Sequence, residues 1–249
     1  MNELTVFTRA TEQPERFEVS FANGVQRQGV LRIDVPYAIE HRDVAAELGA
    51  LHHLLIERAI FGDDRAGNNL HLTVSRGQVR KLMHRRSGLP ELTPWASALS
   101  VQFADAHIRI ENRSAAWEKP RRLEHVTEFT LADRLDLIYH VPGFGPTRLM
   151  AHALDQFCAR ANHLEAHEGW RQIRYMLGPA LQRVLRDPKL DEAARERHGT
   201  NAVILYAPAT GWNFVIAQPN DRSPLPTITT AYHRKQRPQD LGPMMSTAA

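Results

Sequence analysis

The sequence predicts a mixed α+β and α/β fold in two parts: a mixed sheet with helices, then helices followed by an antiparallel sheet. Three observations lead there. Residues 16–35 alternate apolar and polar positions on both sides of Asn23-Gly24, the pattern of a hairpin. Val44, Leu48, Leu51, Leu55 and Ile56 recur at helical spacing before Gly62. The last third holds short β-branched and aromatic runs on either side of the turn sequence "PATG".

Taken in order, "LTVFTRA" (4–10) suits a buried strand, and "RFEVSFANG" with "VQRQGVLRIDV" forms the hairpin. The helix over 40–62 leads to a strand, "NLHLTVS", and a basic helix, "RGQVRKLMHRR". After a proline loop (90–94), "AHIRIE" reads as a strand and "RSAAWEK" as a short final helix. These elements make a first domain over 1–118. "KPRRLEHVTEFT" (119–130) is charged and aperiodic and reads as a linker. A second domain over 131–236 begins with three helical stretches: 131–141, 145–167 and 169–187. It closes with the strands "AVILYA", "WNFVIA" and "LPTITTAYHR". Residues 237–249 read as a frayed, disordered tail.

Hydrophobic residues make up 43% of the chain and charged residues 24%, an ordinary globular balance. The net charge of +3, the pI near 9.2 and the 13 histidines permit nucleic-acid binding without requiring it. A single cysteine, Cys158, allows no internal disulfide and no cysteine zinc cluster, which fits a cytoplasmic setting. The polar N-terminus lacks a signal core, and no run reaches the ~18–20 apolar residues of a membrane span. No membrane association and no cofactor are expected.

Arg76, Arg80, Lys81, Arg85 and Arg86 crowd one short helix with His84. Such a run is either a solvated face or a phosphate-contacting surface. In "TRLMAHALDQFCARANH" (147–163), His152, Gln156 and Arg160 share one helix face. Met150, Ala153, Leu154 and Phe157 form the apolar side. A histidine can act as acid or base near neutral pH, and an arginine can stabilise a phosphate. Tyr206, Thr230 and Tyr232 lie on the closing strands, where aromatic rings can stack on bases. Trp212 and Phe214 read as packing residues. The HxxxH spacing of His163 and His167 is common in helices, so no metal is assigned to it.

The stretches "TVFTRA", "AAELGALHHLL" and "LTVSRGQVRKL" resemble the motifs that carry the metal-binding acids of the ribonuclease H family. The similarity covers about the first 115 residues. It places Glu47 at the helix glutamate, Arg9 and Ser75 at two aspartates, and Ser114 or Ala116 at the last acid. The resemblance therefore implies an RNase H-like domain lacking most of its metal-binding acids. Glu47 is expected either to pair with Arg9 or to cap local structure. "RLMAHALDQFCAR", "ILYAPATGWNFVIAQ" and "TITTAYHR" are similar to the helix and strands of RelE-like, barnase-like and colicin-type ribonuclease toxins, over about 131–235. Gln156 departs from that pattern, which often has arginine there.

Together these resemblances imply an RNA-binding protein of mobile-element origin. Its C-terminal domain is a candidate metal-independent ribonuclease, with His152, Arg160 and Tyr232 as catalytic residues. Arg76, Arg80, Lys81, Arg85, Tyr206 and Thr230 are the candidate nucleic-acid contacts, with RNA ahead of DNA. The alternative is a non-catalytic protein that binds nucleic acid or a protein partner.

Overall fold

Strand β1 (Asn2–Ala10) turns Leu4, Val6 and Thr8 to one face, where all three are buried. In the computed structural model, residues 2–24, 27–63, 65–111, 126–185, 192, 202–220 and 223–245 are described. The chain divides into two units, Met1–Asp136 and Leu137–Ala249. The fold is α+β, as the patterning predicts; both sheets are mixed, the second antiparallel-rich where a wholly antiparallel sheet was expected.

In the first unit, β2 (Arg16–Asn23) and β3 (Arg27–Asp34) form the expected hairpin, paired Asn23 to Arg27. Gly24 stands at φ +61°, the left-handed conformation that suits glycine at such a turn. Strands β4 (Leu70–Val74) and β5 (His107–Ile110) extend the sheet in parallel on the far side of β1. Parallel neighbours need crossovers. Helix α1 (Arg42–His52), continued by a π-helical turn His53–Glu57, supplies the first. Helices α2 (Gly77–Met83) and α3 (Thr93–Gln102) lie in the second. A last strand, β6 (Val126–Thr130), pairs in parallel with β3 and completes the order β5-β4-β1-β2-β3-β6.

The core fills one face of this sheet, with Leu4, Val6, Val19, Leu31 and Ile33 against Val44, Leu48 and Leu51 of α1. The opposite face carries a row of alternating charge across four strands, in register Arg9–Glu18–Arg32–Glu128. Arg32 bridges Glu18 at 3.2 Å and Glu128 at 2.8 Å, and Arg9 holds the Glu18 carboxyl below its ordinary range.

This row corrects the part of the expected linker (119–130) that lies at 126–130; residues 119–125 lie outside the described residues. Glu128 is charged because it faces Arg32, while Phe129 packs against the core and lies 5.0 Å from the His53 ring. Residues 126–130 thus belong to the first unit. The helix read in "RSAAWEK", along with Ser114 and Ala116, lies outside the described residues. Helix α3 was not anticipated because it has no single apolar stripe: Trp95, Ala96, Ala98, Leu99, Val101 and even Gln102 are buried.

The second unit opens with strands where helix was expected. β7 (Ile138–Val141) and β8 (Gly145–Leu149) form an antiparallel pair. The bend "VPGFGP" between them places Gly143 and Gly145 at positive φ, which a helix cannot absorb. Helices α4 (Ala151–Arg160) and α5 (Ala166–Leu177) follow. They approach closely: a Cβ added at Gly169 would lie 2.2 Å from Cys158 Sγ. The short strand β9 (Gln182–Val184) replaces the end of the third predicted helix.

Strands β10 (Ala202–Ala207), β11 (Trp212–Ala217) and β12 (Thr227–His233) form the predicted antiparallel meander. The tail read as disordered folds in part. β13 (Leu241–Met244) pairs with β9, and its flanks add backbone hydrogen bonds from Leu185 to Asp240 and from Met245 to Leu181. Main-chain pairing carries this strand, so its side chains leave little pattern to read. The sheet order is β13-β9-β10-β11-β12-β8-β7, with β12 and β8 parallel.

Candidate functional site

Strand alternation decides which residues meet at the centre of the first unit. Thr8, not Arg9, points to the helix-covered face. There it meets Glu47 from α1 and Ser75 from the end of β4, and all three are essentially buried. The Glu47 carboxylate accepts four hydrogen bonds: from Thr8 Oγ1 (2.7 Å), Ser75 Oγ (2.5 Å), the Ser75 N–H (2.6 Å) and the Arg76 N–H (3.3 Å). The Thr8 N–H donates to Ser75 Oγ at 3.1 Å, closing the network. Burial pushes the Glu47 carboxyl above its ordinary range, and the four donors oppose that shift.

The expected Arg9–Glu47 pair does not form, because Arg9 is on the other face with Glu18. The second expectation fits: Glu47 caps the junction leading into α2.

This donor set does not fit the two-metal chemistry that the ribonuclease H resemblance would bring. Two divalent cations need several carboxylate oxygens close together. Here one carboxylate is already saturated, two hydroxyls stand beside it, and nearby Asp43 is tied to Arg76 at 2.8 Å. Among the described residues no group of three or more histidine, cysteine, aspartate or glutamate side chains is arranged to hold a metal.

Helix α2 separates the basic residues by task. Arg76 is committed to Asp43 and to the Thr8 carbonyl, 3.4 Å from its guanidinium. Arg80, Lys81, Arg85 and Arg86 are exposed, while Val79, Leu82 and Met83 anchor the helix in the core. Arg85 sits at φ +56°, so the chain turns sharply there and Arg86 leaves the helix path. His84 binds the Ala104 carbonyl through Nδ1 (3.1 Å) and is structural.

Near the end of α1, Glu57 faces both His52 Nδ1 (3.2 Å) and His53 Nδ1 (2.6 Å). Burial holds the His52 imidazole below its ordinary value of 6.5. The adjacent His53 adds to that shift, whereas Glu57 and Asp136 oppose it. A depressed histidine contributes stability that is complete above the unfolded value and is lost as pH falls toward the folded one. The stability difference between wild type and His52→Gln is therefore expected to shrink on acidification from about pH 7.5 to about pH 5. Denaturant melts across that range measure it, and a pH-independent difference contradicts the assignment.

In the second unit, α4 buries Ala153, Leu154 and Phe157, with the Phe157 ring 4.2 Å from Trp212. Met150, read as part of this apolar side, instead precedes the helix and is 41% exposed. His152 and Arg160 are exposed and Gln156 half-buried, as the polar row predicts. β8 pairs with β12 only at Thr227 and Ile228; beyond that point α4 packs on β12. Arg160 spans this flank, donating from Nη1 to Thr230 Oγ1 (3.2 Å) and to the Ala231 carbonyl. A helix laid along a strand and tied to its carbonyl protects it from further pairing.

The structure thus joins Arg160 with Thr230 but does not gather the whole proposed groove. Trp212, Phe214 and Ile216 form the face of β11 that meets α4, and Ala231 pairs with Phe214 on it. Tyr232 and Tyr206 both pair with Asn213 and stand on the other face. Tyr206 is only 7% exposed, so its ring is not open for stacking. His163 follows α4 in a left-handed conformation.

No family model, curated protein or solved structure matches the chain. No helix among the described residues is long and apolar enough to cross a membrane.

Proposed function

We propose that this protein binds nucleic acid, RNA ahead of DNA, through the basic segment Arg80–Arg86, and that its first unit does not cleave. The observation that supports this is the division of labour on α2. One arginine is consumed by the core network, and the following cations are left exposed on a short, well-anchored helix and turn. Cations so presented recognise phosphates regardless of base sequence and act through counterion release. Glu47, saturated by hydroxyls and N–H groups, holds the fold beneath them.

A second reading, metal-independent RNA cleavage by the second unit, is favoured by one feature: His152 is exposed on the same helix as Arg160, which is fixed to β12. Incubation of the full chain with labelled RNA separates the two. The proposal expects a bound, intact RNA in EDTA and in magnesium alike. Cleavage that survives EDTA and disappears in His152→Ala assigns catalysis to the second unit. Magnesium-dependent cleavage overturns the account of Glu47, and absence of binding overturns the proposal.

A further inference from the structure

Helix α5 is strongly amphipathic, and its solvent stripe has an unusual composition. Gly169, Trp170, Ile173, Met176 and Leu177 are buried. Glu168, Arg171, Gln172 and Tyr175 lie at i, i+3, i+4 and i+7 on the exposed side. Tyr175 is 75% exposed, the most exposed of the large hydrophobic side chains among the described residues. An aromatic ring in that position buries little of itself and lowers helix propensity slightly.

Two of its neighbours are cationic. Arg171 is one turn earlier on the same stripe, and Arg174 is adjacent in sequence. The Arg174 guanidinium is held 5.5 Å from the centre of the buried Trp170 ring, which limits its wandering. An exposed aromatic side chain with one arginine a turn earlier and another next in sequence offers the two things a single-stranded nucleotide takes: a ring for a flat base and positive charge for an anionic backbone.

We infer that Tyr175, with Arg171 and Arg174, is a stacking ledge for an unpaired base of single-stranded RNA. The inference rests on the proposed RNA binding and adds to it a preference for unpaired over duplex RNA. Polarity selects this occupant over an apolar protein surface, since the exposed stripe around Tyr175 is otherwise Glu168, Arg171 and Gln172, with Arg174 alongside, rather than further apolar side chains. Tyr175 is 75% exposed, so its removal should disturb the core little.

The test uses the full chain and fluorescent RNA of fixed length, single-stranded or duplex. Tyr175→Ala is expected to weaken single-strand binding by roughly tenfold while leaving duplex binding unchanged. Tyr175→Phe is expected to retain wild-type affinity, because the ring does the stacking. Thermal unfolding of both variants should match wild type. Single-strand affinity unchanged in Tyr175→Ala overturns the ledge but leaves the basic segment standing. Loss of duplex and single-strand binding together in Tyr175→Ala also overturns it, since a general contact is then implied. A wild-type chain that binds neither RNA refutes the proposed function itself.

Discussion

Glu47→Leu is expected to destabilise the first unit by about 3–5 kcal/mol, the cost of breaking a buried polar network from one side. Leucine is close to glutamate in volume, so the loss does not come from a cavity. It comes from the Ser75 and Arg76 N–H groups and the Thr8 and Ser75 hydroxyls, which lose their shared acceptor in a site that admits little water. Glu47→Gln keeps a carbonyl acceptor and the same shape, so its cost should be smaller, on the order of 1–2 kcal/mol. Denaturant unfolding of the two variants measures both. Equal stability of Glu47→Leu and wild type contradicts a structural lock at this centre.

The second large effect concerns affinity. Replacing Arg80, Lys81 and Arg86 together by alanine is expected to weaken RNA binding by about a hundredfold near 0.1 M salt. Three phosphate contacts on a single strand contribute about 2 units of log–log salt dependence, which sets that figure. Arg85 is left in place because its backbone is left-handed and a substitution there would confound binding with folding. The three chosen side chains are exposed, so the variant should fold as wild type does. Gel shift or anisotropy at fixed salt provides the affinity.

Much of the fold was legible because its signals are local. The Asn23-Gly24 hairpin, α1 and the closing meander each show their period in a short window. The period of two in β1 also held the identity of the central residue: Leu4, Val6 and Thr8 share a face, so Thr8 belongs inside and Arg9 outside. Motif resemblance alone placed Arg9 there.

What escaped the sequence was decided by tertiary partners. Helix α3 is buried nearly all round and so has no stripe. β6 hides its strand character under charges that only Arg32 and the cross-strand row explain. β7 and β8 read as helix because apolar spacing in 131–149 outweighed the glycine and proline bend. For the candidate sites, exposure could be anticipated from helical phase for His152, Arg80 and Lys81. The bond from Arg160 to Ala231 depends on where the helix packs on β12, and the burial of Tyr206 on what covers the opposite face of the sheet; no local pattern encodes either.

The salt dependence of RNA affinity in the wild-type chain and the Arg80/Lys81/Arg86 alanine variant tests the central claim most directly. The account predicts a steep decline of wild-type affinity with salt and a log–log slope shallower in the variant by about 2 for a single strand. A slope unchanged by the three substitutions, or an affinity insensitive to salt, contradicts the assignment of this segment as the phosphate-binding surface.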